Sequence, residues 1–230
     1  MRAFTNRADA GQRLAPLLEH LRDVDPVVMA IPRGGVPVAA AVADFLDAPL
    51  DLVIVRKLGY PPQPEVALGA IGEDGVRVLN SEFGPGWISD SQLNGVEERE
   101  RAELDDRVAR WRIRDRINPA GRTVIVVDDG VATGSTAEAA CRVMHDLGAS
   151  QVVLAIPVCP VSALDRLPSA DEIVSLHTPE SFFAVGEYYD DFRQTADDEV
   201  SAILNGARHA DTGPDSPVTE TGTDTDDKTE

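Results

Sequence analysis

The feature that most constrains the fold is a run of four β-branched residues, Val124-Ile125-Val126-Val127, ending on two adjacent acids and a turn. The turn reads Asp128-Asp129-Gly130-Val131-Ala132-Thr133-Gly134-Ser135-Thr136, and residues 136–147 beyond it read as a helix. A short, wholly apolar run bounded by turn residues predicts a strand buried on both faces, as in a parallel α/β sheet. Ligands of such sheets sit outside the carboxyl ends of the strands, where this turn lies. Backbone N–H groups at the start of the helix, with the hydroxyls of Thr133, Ser135 and Thr136, form a cradle for a phosphate, assisted by the helix dipole. Two carboxylates just before the cradle would repel a polyphosphate. They suit the cis diol of a ribose one sugar length away, so the pattern describes a site for ribose 5-phosphate. Were the acids mere caps of the turn, so specific an arrangement before Thr-Gly-x-Thr would have no reason.

The rest of the chain repeats the unit. Residues 27–31 are another apolar run, 36–46 an Ala- and Val-rich helix and 52–55 a further buried strand, which together make a parallel crossover. Residues 152–156 and 173–176 add strands, and apolar residues at 14, 17, 18 and 21 predict a helix over 10–21. Leu68-Gly69-Ala70-Ile71 and Val76-Arg77-Val78-Leu79 flank Glu73-Asp74-Gly75, a hairpin signal. Residues 89–116 are dense in charge and predict a long exposed helix. The expected fold is α/β, a mostly parallel open sheet flanked by helices, with a small hood and that long helix. One domain is expected over residues 1–210, followed by a disordered tail over 211–230. That tail has seven acids, one base and one aliphatic side chain, Val218, and cannot bury a core.

At residues 124–136 the chain resembles the type I phosphoribosyltransferases, whose hallmark is this stretch, and the resemblance extends loosely over residues 25–205. It implies that Asp128 and Asp129 bind the ribose hydroxyls of phosphoribosyl pyrophosphate, while Gly130 and Val131 lead into the 5-phosphate loop, Ala132, Thr133, Gly134, Ser135 and Thr136. Ile31-Pro32-Arg33-Gly34-Gly35-Val36 looks like the family's pyrophosphate loop: the two glycines permit close approach to an anion, and Arg33 supplies a permanently charged fork. Arg56 and Lys57 end the 52–55 strand, where the family carries basic residues for the pyrophosphate. The Pro-rich stretch 60–65 that follows is too irregular for regular structure and matches the family's closing loop, which would exclude water. Five of the nine Phe and Tyr residues fall within 182–192, either as core packing or as the base-binding segment of the 6-oxopurine members. In the latter case Phe183 stacks on the base beside Val185, and Asp190 helps hold magnesium.

The implied reaction is displacement at ribose C1: pyrophosphate leaves with Mg²⁺ and a nitrogen nucleophile, a nucleobase or base-like acceptor, takes its place. Catalysis of this kind is chiefly electrostatic positioning. Mg²⁺ needs hard oxygens and keeps several waters, so the substrate's own diol and pyrophosphate supply most of its shell. A homodimer is also expected. Two departures bear on the acceptor: Ala132 stands where 6-oxopurine members have an aspartate, and Ile156-Pro157-Val158-Cys159 lacks their lysine. The nucleobase is not readable from the sequence. A regulator or binding protein that keeps the fold to sense phosphoribosyl pyrophosphate is the competing class. A DNA-binding version is opposed by a net charge of −19, from 21 basic and 40 acidic residues, and by only 26 residues before the first strand. No nucleic-acid partner is expected, nor a membrane one, since no long apolar run or signal peptide appears, and the chain reads as cytoplasmic. Only two of the 21 basic residues are lysines, Lys57 and Lys228, an imbalance that looks halophilic. Cys141 and Cys159 read as buried free thiols, and the four histidines match no ligand spacing.

Overall fold

The chain enters through helix α1 (Arg7–Leu14), a 3₁₀ segment (Ala15–Val24), strand β1 (Val27–Ala30), helix α2 (Gly35–Leu46) and strand β2 (Leu50–Leu52). It then makes strands β3 (Val55–Tyr60), β4 (Gln63–Gly72) and β5 (Arg77–Leu79), followed by the long helix α3 (Asp90–Trp111). Strand β6 (Thr123–Val127), helix α4 (Ser135–Asp146), strand β7 (Gln151–Val158), the short α5 (Val161–Leu164), strand β8 (Glu172–His177) and helix α6 (Asp197–Gly206) complete it. These elements come from a computed structural model that describes residues 2–79 and 88–207. The tail expected over 211–230 lies outside the described residues.

Strands β2-β1-β6-β7-β8 form one sheet in that order, parallel throughout. Its alternate residues divide the core as a pleated sheet buried on both faces must. Val28, Ala30, Ile125, Val127 and Val153 face Leu14, Val38 and Val42 on one side, while Val27, Met29, Val124, Val126 and Leu154 face Ala140 and Met144 on the other. Helix α1 lies directly on α2 because Gly11 has no side chain; a Cβ there would stand 2.5 Å from the Val38 carbonyl oxygen. Pro16 stands at the start of the tighter 3₁₀ segment, so the helix expected over 10–21 is two pieces.

The hood is the antiparallel sheet β3-β4-β5, with the expected hairpin closed by a 3₁₀ turn at Glu73–Gly75. Two readings of the sequence need correction here. The apolar run 52–55 is not one strand: its first sheet ends at Leu52, Val53 donates to the Ala30 carbonyl at 3.0 Å, and Val55 already pairs with Gly72 in the second sheet. Unbroken hydrophobicity conceals a change of sheet. The Pro-rich stretch is not irregular either: Tyr60 pairs with Gln63, so Pro61 and Pro62 form a hairpin corner, where no ladder N–H is required.

Helix α3 starts at a capping box between Ser89 and Gln92. Although charged, it buries Val96, Leu104 and Trp111, and it ends at Trp111 rather than 116. The next residue, Arg112, ties three parts of the molecule together. It donates to buried Asp51 of β2, to Glu73 of the hood at 2.6 and 2.8 Å and to the Leu52 carbonyl at 3.0 Å. Asp51 also accepts the amides of Leu52 and Ile117, both at 2.7 Å.

Candidate functional site

Strand β1 leads left in the sheet order to β2, and β6 leads right to β7. The order therefore reverses between β1 and β6, and the crevice outside their carboxyl ends is where an open α/β sheet binds ligands. Both motif turns sit there. The amide of Ile31 donates to the Val127 carbonyl at 2.8 Å, locking the turn after β1 to the end of β6. A Cβ on Gly35 would stand 2.5 Å from the Val127 carbonyl oxygen, and one on Gly34 would stand 2.1 Å from Asp129 Oδ2. The glycines expected to admit an anion thus first make room for the acid pair.

After β6, Gly130 (φ 153°) and Gly134 (φ 86°) adopt backbone conformations that L side chains rarely take, and Val131 donates to the Val158 carbonyl at 2.9 Å. Helix α4 starts at Ser135, so the N–H groups of Ser135, Thr136 and Ala137 open outward beside the Thr133 and Ser135 hydroxyls, 3.4 Å apart. Ala132, Thr133 and Thr136 are exposed.

Asp128 accepts the Asp129 amide at 2.8 Å. Burial, and then the negative charge of Asp129, hold the Asp128 carboxyl well above the ordinary carboxylate range. Burial raises Asp129 as well, opposed by Arg7, whose Nε and Nη2 both stand 2.8 Å from Oδ2. The Tyr189 hydroxyl donates to the Asp129 carbonyl at 2.6 Å.

Beside Asp128 opens a cavity of ≈ 640 Å³. Its walls bring together Pro32 of the β1 turn, Thr136 of α4, Arg56, Lys57 and Tyr60 of the hood, and Arg99, Glu100 and Arg107 of α3. Arg56 is paired with Glu100 at 2.7 Å. Burial, and then the charge of Arg56, lower the affinity of the Arg107 guanidinium for its proton, and its positive charge lies over the Trp111 ring at 5.8 Å. A concentration of guanidinium and ammonium groups around one cavity, in a chain of net charge −19, marks a place for an anion.

Arg33 is the candidate the structure turns elsewhere. Its guanidinium pairs with Asp197 of α6 at 3.2 Å, and the same carboxylate takes the Trp111 indole N–H at 2.8 Å. The aromatic segment is divided. Tyr189 is buried against Phe4, Phe192 lies under Arg7, and Phe182 stacks on Tyr188, whereas Phe183 is 87% exposed. Val185 packs on the site, touching where a Gly130 Cβ would stand. Asp190 lies at the surface, 3.3 Å from Arg2. Among the described residues no three His, Cys, Asp or Glu side chains gather as metal ligands. His20 pairs with Glu172 and His145 with Asp171, both far from the crevice in the sheet order. Cys141 and Cys159 are free and buried, which pushes the Cys159 thiol up to about 11. Three site residues, Arg7, Arg99 and Arg107, arrive from elements distant in sequence that carried no ligand-binding motif, and charge spacing along α3 was the one clue available; Tyr189 falls in the aromatic segment but meets Asp129 rather than a base.

Comparison with known proteins bears on this geometry directly. The sequence profile of the phosphoribosyl transferase domain matches residues 7–192. "Putative phosphoribosyl transferase Rv0571c" of Mycobacterium tuberculosis is 52% identical over 210 residues, 90% of this chain and 47% of that protein, so the chain spans about half the length of the curated relatives it matches. Adenine phosphoribosyltransferase of Kineococcus radiotolerans is 44% identical over 61 residues, 26% of this chain and 32% of that one. The crystal structure of TT1426 from Thermus thermophilus superposes with a TM-score of 0.83 at 45% identity, covering 89% of this chain and 98% of that one. With its acid pair, glycine turns and open helix N-terminus at the switch point of a parallel sheet, the chain belongs to the phosphoribosyl transferase domain family.

Proposed function

We propose that the chain transfers a phosphoribosyl group from phosphoribosyl pyrophosphate to a nitrogenous acceptor, most simply a nucleobase, and releases diphosphate. The observation that carries this reading is the position of the acid pair, next to the open N-terminus of α4 and, through Asp128, on the wall of the cation-lined cavity. The 5-phosphate would rest on the amides and hydroxyls of residues 132–136. The ribose diol would lie against the acids, and the diphosphate would enter the cavity among Arg56, Lys57, Arg99 and Arg107. Negative charge grows on the leaving oxygens as the C1–O bond breaks, so fixed cations there favour the transition state over the bound substrate. The Tyr60–Gln63 corner borders the cavity and is the element suited to excluding water from an oxocarbenium-like sugar.

Mg²⁺ fits as a cation held mainly by ligand oxygens. Among the described residues Asp128 and Glu100 are the carboxylates on the cavity wall, and Arg56 occupies Glu100, leaving Asp128 as the hard oxygen they offer. When bound, the metal would neutralise diphosphate charge. Exposed Phe183 makes no preformed stack for a base, so the acceptor would order that side chain on binding.

The test is a panel of bases and other amines with phosphoribosyl pyrophosphate and Mg²⁺ in molar KCl, following diphosphate release. Release that depends on one acceptor is the expected result. Absence of phosphoribosyl pyrophosphate binding in calorimetry overturns the proposal, and binding without turnover for any acceptor identifies a sensor instead.

A further inference from the structure

Arg7 reaches the acid pair from outside every segment in which the sequence signals ligand binding. Arg7 is the first residue of α1, whose N-cap Asn6 accepts the Asp9 amide at 3.0 Å, and α1 is seated on α2 through Gly11. The guanidinium is used on all sides. Nε and Nη2 both meet Asp129 Oδ2, Nη1 donates to the Arg193 carbonyl at 2.7 Å, and its carbon lies 4.1 Å from the centre of the Phe192 ring. The side chain is 11% exposed. Asp129 is equally confined, with Tyr189 on its carbonyl and Gly34 against its carboxylate. Its neighbour differs: Asp128 is met by a main-chain amide and lines the cavity.

Two adjacent carboxylates at a half-buried strand end repel each other, and a charge taken largely out of water without a partner is costly. A counter-ion built into the fold removes the difficulty for one acid and simultaneously takes that acid out of competition for the ligand. We propose that Arg7 is a positioning residue that divides the acid pair: it fixes Asp129 as a permanent part of the wall and leaves Asp128 as the carboxylate that takes the ribose hydroxyls. The inference rests on reading the site as one for phosphoribosyl pyrophosphate, and it differs from the expectation that both acids meet the diol.

The experiment is calorimetric titration of Arg7→Gln, Arg7→Lys, Asp129→Asn and the Arg7→Gln/Asp129→Asn double variant. The ligands are ribose 5-phosphate, phosphoribosyl pyrophosphate with Mg²⁺, and inorganic diphosphate, which has no diol. Arg7→Gln is expected to weaken both sugar ligands by about tenfold while leaving diphosphate unchanged, and Arg7→Lys to recover part of the loss. Because Arg7 acts through Asp129, the double variant binds sugar no more weakly than Asp129→Asn alone. Additive losses, or an equal loss of diphosphate, overturn the proposal, since general damage to the fold would spare no ligand. Should Arg7→Gln fail to fold, Arg7→Lys decides: a loss confined to the sugar ligands supports the role, and a uniform loss or none refutes it. A wild-type protein that binds neither sugar ligand refutes the reading of the site, and this inference with it. Wild-type binding with unaffected variants refutes this inference alone.

Discussion

Asp128 sets stability against function within one side chain. Its carboxyl is held above the ordinary range by burial and then by Asp129, so the folded protein binds that proton more tightly than the unfolded chain does. Stability from this source is complete below the unfolded carboxylate value of about 3.9 and is lost as pH rises through the higher folded value. Asparagine is the uncharged equivalent. Ligand-free Asp128→Asn is therefore expected to melt roughly 2–4 °C above the wild type at pH 7, with the difference vanishing towards pH 4, while ribose 5-phosphate binding is lost. A lower melting temperature at pH 7 would contradict the assignment. The two acids and the phosphate turn were legible because their signal is local: strand, acid pair, turn and helix are continuous in sequence. Arg7 was not, because its partner Asp129 lies on another element and an isolated arginine near a helix start is ordinarily solvated. Arg33 looked free to meet a ligand because nothing near it in sequence announces Asp197, its partner on α6.

Among the elements, the hood and α3 are where sequence reading fell short. The run 52–55 hid a sheet change because hydrophobicity records burial and not which sheet provides it. Charge density made α3 look wholly solvated, yet Val96, Leu104 and Trp111 recur at spacings that return to one face, and Arg99 and Arg107 of the same helix line the cavity. Lys57→Ala and Arg107→Ala are each expected to weaken binding of diphosphate and phosphoribosyl pyrophosphate by about 1.5–3 kcal/mol, the range for hydrogen bonds to charged groups. Ribose 5-phosphate, which has no diphosphate to place among these cations, should bind almost as before. Calorimetry with the three ligands checks this, and equal losses for all of them would remove both residues from the leaving-group side.

On the scale of the whole molecule, the main sheet and the hood share a half-buried cation, Arg112. Arg112 joins Asp51 to Glu73, and its own positive charge persists against burial because Glu73, and then Asp51, stabilise it. Arg112→Ala leaves two buried carboxylates, Asp51 and Glu73, without their shared counter-charge and is expected to cost about 3–5 kcal/mol of unfolding free energy in urea titration. A loss below about 1 kcal/mol would place the linkage elsewhere, since that is the worth of an exposed pair. The division into two sheets also carries a kinetic meaning for the ligand. If the sugar half of phosphoribosyl pyrophosphate lies on the parallel sheet and the diphosphate half lies on the hood and α3, the intact molecule is a staple driven through both. The bond that breaks is the crown of that staple. Turnover cuts it, and each product then holds on to one sheet alone. Amide exchange in β3 and β4 should accordingly slow far more with the intact ligand than with ribose 5-phosphate and diphosphate together at equal occupancy.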